Sequence, residues 1–194
     1  ATSLWSRYRL IGHGHGNGHG HGDGRGGRML DIDGTMGEGG GQVLRTALGL
    51  SLVTGRAFCI DGIRGGRRRP GLLRQHLTAV RVCAEVGAAR VEGAELGSAT
   101  LEFEPTQQRP GGWTADVGSA GSAGLVVQAA LPGLLAAPGA SVLEVSGGTH
   151  NRGAPPFEFL DLALRPLLAR MGAELSLDMT RPGFEPAGGG HYRL

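Results

Sequence analysis

Lysine is absent from this chain of 194 residues, whose 19 basic side chains are all arginine. Catalysis that depends on a lysine nucleophile, as in common nucleotidyl transferases and ligases, is therefore excluded for this chain. The net charge is only +2, so no overall electrostatic field marks a nucleic-acid-binding protein. A coding bias toward arginine explains the missing lysine at least as well as function does.

Cysteine is scarce, and long hydrophobic runs are missing. Cys59 and Cys83 lie in separate apolar segments without a CxxC spacing, which is typical of packed thiols in a reducing compartment. Glycine, proline or polar residues interrupt every apolar stretch before it reaches the length of a membrane span, and no secretory signal is visible. We therefore expect a cytoplasmic protein with no membrane partner.

Glycine, in contrast, is abundant. It accounts for 38 of the 194 residues, or about one in five, against an average usage of about 7%. Part of the excess lies in residues 12–28 (GHGHGNGHGHGDGRGGR), where four histidines alternate with glycine and could chelate a metal. The same tract also fits a flexible extension, and we assign residues 1–28 as such a Gly/His-rich extension. The other glycines separate apolar runs and predict tight turns and backbone-lined sites.

From residue 29 onward the sequence contains an internal repeat. Residues 34–52 (GTMGEGGGQVLRTALGLSL) align without gaps with residues 118–136 (GSAGSAGLVVQAALPGLLA). Four pairs of glycines coincide in this alignment, namely Gly34, Gly37, Gly40 and Gly49 with Gly118, Gly121, Gly124 and Gly133. A short strand pattern precedes each copy (MLDID and WTADV), and a β-rich run follows each (AFCIDGI and SVLEVSGG).

Each copy continues into a second amphipathic helix that ends at a glycine, which predicts a left-handed helix cap. The apolar residues at helical spacing are Leu73, Leu77, Val80 and Ala84 in the first copy, and Leu160, Leu164, Leu167, Leu168 and Met171 in the second. We therefore predict an α/β fold of tandem repeated units, each with two helices on a small sheet. The first unit spans 29–108, with a further strand at 100–104, and the second spans 109–190.

The first glycine-rich loop, GTMGEGGGQVLR, is a candidate anion-binding site. Its glycines allow close backbone approach, and the N–H groups of the following helix point outward. The loop is neither a P-loop nor a dinucleotide-binding fingerprint. Glu38 within it would repel bound phosphates unless a divalent cation lies between them. The alternative is a helix-start glutamate stabilised by the helix dipole.

A second candidate is the arginine-rich segment 63–76 (IRGGRRRPGLLRQH). Glycines and Pro70 keep this segment irregular, and arginine side chains bind phosphate oxygens in a bidentate manner. The segment suits a polyphosphate or an RNA end, although a solvated basic loop fits the composition equally well. Arg68 is left outside the predicted site, because three adjacent side chains cannot all point one way.

Several polar residues lie on otherwise apolar helical faces. Arg45, Gln75 and Gln128 could line a site or could form hydrogen bonds inside the core. His76 is more typical of a packed histidine than of a catalyst. His150 follows a strand at a Gly-Gly-Thr turn, where a surface loop is expected.

Six ordered segments resemble the RNA 3′-terminal phosphate cyclase family from about residue 30 to residue 190. They are DGTMGEGGGQVLRTALGLSLVTG, IRGGRRRPGLLRQHLTAV, VEGAELGSATLEFEP, GSAGSAGLVVQAALP, EVSGGTHNRGAPP and GFEPAGGG. The resemblance implies α/β units like the C-terminal domain of translation initiation factor three. It also implies ATP-dependent conversion of RNA 3′-phosphate ends into 2′,3′-cyclic phosphates, through a histidine–AMP and an RNA-adenylate intermediate.

The resemblance also implies roles for individual residues. The catalytic and phosphate-binding positions are Arg45, Arg64, Arg67 and Gln75, and the ATP-binding positions are Gln128, Glu38, Gly39 and Gly40. Glu38 matches the metal-binding glutamate of the family, which implies Mg²⁺ or Mn²⁺ as a cofactor. Arginines and a metal would stabilise charge at phosphorus, while adenylylation creates a good leaving group.

One departure concerns the nucleophile. Family members continue past GFEPAGGG through an inserted domain into a third repeat that holds the adenylylated histidine. Residues 191–194 are interpreted as the start of the region that leads there, and His76, His150 and His191 do not match the nucleophile's motif. We therefore expect a C-terminally truncated form that lacks this histidine.

Two other functions compete with an active cyclase. The first is a non-catalytic RNA- or nucleotide-binding protein, like the cyclase-like proteins of eukaryotic ribosome assembly. Glu38, Arg45, Arg64 and Arg67 favour an active ancestor, because a scaffold has no need of a metal-bridging carboxylate. The second is an enolpyruvyl transferase, which uses similar repeated units, but the segments RPGLLRQHLTA and SGGTHN favour the cyclases.

Overall fold

The computed structural model describes residues 29–194, so the predicted Gly/His-rich extension lies outside the described residues. The first half of this part alternates strands and helices. In chain order these are β1 (Leu30–Asp33), α1 (Gln42–Thr54), β2 (Phe58–Asp61), α2 (Arg74–Val86), β3 (Arg90–Glu92) and β4 (Leu101–Glu104).

The second half follows with a similar series of elements. In chain order these are β5 (Gly112–Asp116), α3 (Ala123–Ala136), β6 (Val142–Gly147), α4 (Phe157–Phe159), a π-helical turn (Leu160–Leu164), α5 (Arg165–Arg170), β7 (Asp178–Arg181) and β8 (Gly190–Arg193). The π-helical turn ends next to Pro166, which has no N–H to donate to the carbonyl of Leu162. The protein is therefore an α/β protein, as its sequence predicts.

The strands form two four-stranded sheets with the same connectivity. Their orders are β1-β2-β4-β3 and β5-β6-β8-β7. In each sheet the first two strands are parallel and the other pairings are antiparallel. The second sheet includes β8, so residues 191–193, which the sequence interpretation placed after the second unit, pair with β6 and β7.

The hydrophobic core lies between the helices and one face of each sheet. In β2, Phe58 and Ile60 are buried while Asp61 is exposed, and this alternation is typical of a sheet with one solvated face. Leu48 and Leu52 of α1 recur at helical spacing and are fully buried. Helix α3 packs against both α1 and α2. The first and second halves therefore share one core.

The two predicted glycine caps differ in the structure. Gly172 is left-handed, with φ of +91°, as predicted, but Gly87 has φ of −92°. The left-handed residue after α2 is Ala88, with φ of +44°, and the N–H of Ala89 bonds to the carbonyl of Ala84. Residue 87 is glycine for a different reason, because a Cβ there would lie 2.4 Å from Cδ2 of Leu52.

The segment after β6 is less buried than its apolar pattern predicts. Leu160 is buried, but Leu167 and Met171 are 54% and 68% exposed. The prediction that these residues share a buried helical face is therefore wrong for the last turn of this segment. None of the helices between residues 29 and 194 is both long enough and apolar enough to cross a membrane.

Candidate active site

A cleft of about 690 Å³ lies where the first glycine-rich loop meets the arginine-rich segment. Its walls come from the loop before α1, the loop between β2 and α2, and the first turns of both helices, with Leu125 of α3 and Gly153 contributed by the second half. The residues that line it are Met36, Gly37, Glu38, Gly40, Gly41, Gln42, Val43, Arg45, Arg64, Arg67, Leu73, Gln75, His76, Leu125 and Gly153. Most of the predicted site residues therefore meet at one place.

The two loops pack backbone to backbone. Gly39 has φ of +55°, and a Cβ at this position would lie 2.6 Å from the backbone nitrogen of Gly66. The N–H of Gly66 donates to the carbonyl of Gly39 at 3.2 Å. A Cβ at Gly40 would lie 2.8 Å from Nη2 of Arg67. The glycines are therefore needed for loop packing, and Gly40 also lines the cleft.

An ion pair joins the two loops at the mouth of the cleft. Nη2 of Arg67 lies 2.9 Å from Oε2 of Glu38, and these side chains are 47% and 88% exposed. An ion pair as exposed as this adds little to folding stability. Both groups can therefore exchange their mutual contact for a ligand at a small energetic cost.

Arg45 is held by two glutamines that come from different halves of the chain. Its Nη2 donates to Oε1 of Gln42 at 2.8 Å, and its Nε donates to Oε1 of Gln128 at 3.1 Å. The amide of Gln42 also donates to Oγ1 of Thr46, which fixes its orientation. Burial lowers the pKa of Arg45 from its ordinary value, but a guanidinium stays charged at neutral pH.

Arg64 lies deeper and is only 9% exposed. Its Nη1 donates to the carbonyls of Arg69 at 2.5 Å and Gly71 at 2.8 Å. Burial, and then the charge of Arg67, lower the pKa of Arg64. One nitrogen of this guanidinium therefore stabilises the arginine-rich loop itself, while the residue also lines the cleft.

Gln75 joins the first half of the chain to the second. Its Oε1 accepts a hydrogen bond from the N–H of Ser122 at 2.9 Å. The neighbouring Arg74 also crosses between the halves, since its Nη1 donates to the carbonyl of Gly118 at 3.1 Å. Gln75, for which the resemblance implies a catalytic role, thus also fixes the packing of the two halves.

His76 lies against the start of α1 and is 4% exposed. Its Nδ1 accepts a hydrogen bond from the N–H of Leu73 at 3.3 Å, so the proton of the neutral ring lies on Nε2. A Cβ at Gly41 would lie 2.4 Å from this Nε2. Burial, with the charges of Arg64 and Arg45, lowers the pKa of His76 to about 4.

The structure adds Gln42 and His76 to the residues that the sequence singled out for the site. The spacing of Gln42 from Arg45, three positions along one helix, was the available signal. No sequence signal showed that Gln128 would reach Arg45 or that Gln75 would reach Ser122. Arg68, which was left out of the predicted site, is exposed and does not line the cleft.

The charges of the cleft suit a polyanion. Arg45, Arg64 and Arg67 bring three positive charges, and Glu38 is the one carboxylate among the lining residues. Within residues 29–194, no three histidine, cysteine or carboxylate side chains come together as a metal site. A single carboxylate can still hold Mg²⁺ when phosphate oxygens and waters complete the coordination, so Glu38 fits a cation that enters with a nucleotide.

Glycine-lined loops, three arginines and an exposed glutamate on an α/β fold form a cleft whose chemistry suits a ligand with phosphate groups. Residues 36–194 match the family described as RNA 3′-terminal phosphate cyclase. The chain is 55% identical over 166 residues to an RNA 3′-terminal phosphate cyclase of Koribacter versatilis (strain Ellin345). The match covers 86% of this chain and 47% of the relative, so the chain spans about half the length of the curated relative it matches. The chain belongs to the RNA 3′-terminal phosphate cyclase family.

Proposed function

We propose that this chain carries the phosphate-binding half of an ATP-dependent RNA 3′-terminal phosphate cyclase, an enzyme of the ligase class. The reaction takes ATP and an RNA 3′-phosphate and gives a 2′,3′-cyclic phosphate, AMP and pyrophosphate. The observation that carries the proposal is the convergence of Glu38, Arg45 and Arg67 on one glycine-lined cleft.

The residues of the cleft suit charge stabilisation at phosphorus. In the proposed reaction a histidine takes AMP from ATP, and the RNA 3′-phosphate then takes AMP from that histidine. The 2′-hydroxyl attacks the 3′-phosphorus, AMP leaves, and the hydroxyl proton passes to solvent. Arg45, Arg64 and Arg67 would stabilise the charge that develops on the phosphate oxygens, and Gln75 would position the RNA phosphate.

Glu38 would hold a divalent cation, Mg²⁺ or Mn²⁺, which supplies positive charge between the carboxylate and the phosphates of ATP. Gly40 and Gly39 would allow these phosphates to approach the loop backbone. Gln128 would contact ATP in addition to holding Arg45, because its amide nitrogen is a donor in addition to the bonded oxygen.

Within the cleft, His76 is a poor candidate for the adenylylated histidine. Its Nδ1 is bonded to the backbone and its Nε2 lies against Gly41, so neither nitrogen is placed for attack on ATP. We propose that the nucleophile is a histidine other than His76. The matching topology of the two sheets supports a duplication of one unit, which we propose for residues 29–108 and 109–190, each like the C-terminal domain of translation initiation factor three. A cytoplasmic location belongs to the same proposal.

The binding role is tested with Arg67→Ala and with Arg68→Ala, a matched control outside the cleft. We expect Arg67→Ala to weaken binding of an oligoribonucleotide with a 3′-phosphate by about tenfold or more, since a charge-assisted contact contributes about 1.5–3 kcal/mol. Binding of the same oligonucleotide with a 3′-hydroxyl should change little. Fluorescence anisotropy at fixed salt measures both affinities. Equal losses for both ends would reassign Arg67 to general backbone contact.

The covalent step is tested separately with α-labelled ATP and Mg²⁺. We expect no acid-labile, base-stable protein–AMP adduct on His76, because its side chain is enclosed. The label that remains on the denatured protein, compared with His76→Asn, measures the adduct. An adduct that disappears in His76→Asn would show that His76 is the nucleophile and would contradict the assignment.

A further inference from the structure

The second helical segment of each half ends at a glycine, and the two segments differ in burial. Counted back from these glycines, Val82 corresponds to Leu167 and Val86 corresponds to Met171. Both valines are buried, whereas Leu167 and Met171 are more than half exposed. Among the helices, α2 packs mainly against α3, the first helix of the second half. In the part of the chain that the structure describes, only the preceding π-helical turn makes more than marginal contact with α5. An apolar helix surface that is packed in the first half is therefore open in the second.

A groove of about 620 Å³ lies beside this open surface, between the ends of α3 and α5. Its apolar walls include Leu134, Leu135, Leu143, Leu168, Met171 and Leu175. Glu174 is the one charged residue in its lining. Single exposed apolar side chains are normal on a protein surface, but a continuous apolar groove of this kind marks a contact site.

The corresponding place in the first half is filled by Leu52. This residue is fully buried at the end of α1, and a Cβ at Gly87 or at Gly133 would clash with its methyl carbons. The repeat alignment places Ala136 at the equivalent position, and Ala136 is exposed. A Cβ at Gly172 would meet nothing within 4 Å. The second half therefore leaves room for apolar side chains from outside.

The outer face of α1 carries side chains of the matching kind. In the repeat alignment α1 corresponds to α3, the helix that packs against α2. Leu50 and Val53 are 59% and 39% exposed, and their spacing of three residues places them on one face. Arg56, just beyond α1, is exposed. Within residues 29–194, neither Arg56 nor Glu174 of the groove forms an ion pair. Apolar surface and opposite charge therefore match the α1 face to the groove.

We propose that the groove and the open surface of α5 bind the outer face of α1 in a second copy of this chain. The contact repeats, between copies, the packing of α2 against α3 within one copy. Because two different surfaces meet, the contact is heterologous, and each copy keeps one free surface for a further copy. This self-association goes beyond the proposed function, since none of the residues that carry it lines the cleft.

The test blocks each surface separately with a negative charge. Leu50→Glu alters the α1 face, and Met171→Glu alters the groove. Leu96→Glu is the control, because Leu96 lies outside both surfaces and is as exposed as Leu50. Sedimentation velocity over about a hundredfold range of concentration measures the association. Val53→Glu and Leu167→Glu place the same charge on the same two surfaces, and they replace any variant whose circular dichroism shows that it does not fold.

We expect the unaltered chain and Leu96→Glu to associate as the concentration rises. Leu50→Glu and Met171→Glu should each weaken this association by about tenfold or more, because the contact would bury an unpaired carboxylate. An equimolar mixture of these two variants should form a complex of two copies and nothing larger, since each copy supplies the surface that the other lacks. A contact between two identical surfaces would not give this complementation.

Several results would overturn the proposal. One is an unaltered chain that stays monomeric at every concentration. If that monomer binds the apolar dye anilinonaphthalene sulfonate and Met171→Glu does not, the groove is a site for a small apolar ligand instead. A mixture of the two variants that stays monomeric also contradicts the proposal. An equal loss of association in Leu96→Glu would show that the association is not specific to the two surfaces. None of these outcomes depends on the binding of ATP or RNA.

Discussion

The two aligned glycine-rich loops open matching helices in different ways. In the first half, Glu38 is exposed, and the N-cap residue of α1 is Gly41, which provides no side-chain cap. In the second half, the position equivalent to Glu38 is Ser122, which is 4% exposed and whose Oγ accepts a hydrogen bond from the N–H of Leu125. The first loop leaves helix N–H groups and charges open to a ligand, whereas the second uses its polar side chain to stabilise the fold. Similar backbones thus form the candidate site in one half and a side-chain-capped helix start in the other.

The largest expected effect comes from making the first loop resemble the second. Gly39 aligns with Ala123, so Gly39→Ala introduces the residue that the second loop has. We expect it to lower the free energy of unfolding by about 3 kcal/mol, because a positive φ and a backbone clash with Gly66 act together. Urea denaturation measures the change.

Gly37→Ala is the matched control for Gly39→Ala. Gly37 has φ of +64°, but nothing lies within 4 Å of its added Cβ. This substitution should cost only about 1 kcal/mol, for backbone conformation. An equal decrease in the free energy of unfolding for the two variants would show that the contact between Gly39 and Gly66 adds nothing to the stability.

A pH-dependent loss of stability is expected from the first half. The folded protein holds the pKa of His76 at about 4, below its ordinary value of 6.5. The contribution of the neutral His76 to the free energy of unfolding is therefore fully present above pH 6.5. It is lost as the pH falls toward 4, because the imidazole is protonated at a higher pH in the unfolded chain than in the folded protein. The shift corresponds to at most about 3 kcal/mol. The free energy of unfolding at several pH values, compared with His76→Asn, isolates this contribution. Parallel pH profiles would contradict the buried neutral imidazole.

The smallest effect concerns the ends of the second helix in each half. Both have the same capping hydrogen bonds, but the left-handed residue is Ala88 in one and Gly172 in the other. Ala88→Gly should raise the free energy of unfolding by about 1 kcal/mol, and Gly172→Ala should lower it by a similar amount. Thermal unfolding measures both changes, and shifts of the same sign would show that the caps are not equivalent.

The sequence predicted the elements whose signals are local. Strand patterns, helical spacing and the two glycine-rich loops appear in the fold because each depends on a few neighbouring residues. The prediction of a left-handed cap at residue 87 was wrong. This residue is glycine because a side chain there would clash with Leu52 on another helix. The prediction that Leu167 is buried was also wrong, because periodicity identifies an apolar helical face but not whether another element covers it.

The candidate site was predictable to a similar degree. Glu38, Arg45 and Arg67 were identified from residue type and motif, and they line one cleft. The bond from Arg45 to Gln128 joins residues 83 positions apart, and no local pattern encodes such a contact. The enclosure of His76 depends in the same way on the approach of Gly41. Residue roles that depend on packing between distant segments could therefore be identified only from the structure.

The most direct test is a crystal structure of the chain with ATP and Mn²⁺, located by the anomalous signal of the metal. We predict Mn²⁺ directly coordinated by a carboxylate oxygen of Glu38, with ATP phosphate oxygens in contact with Arg45 and Arg67. Nucleotide and metal bound elsewhere, with the ion pair between Glu38 and Arg67 intact and the cleft empty, would contradict it.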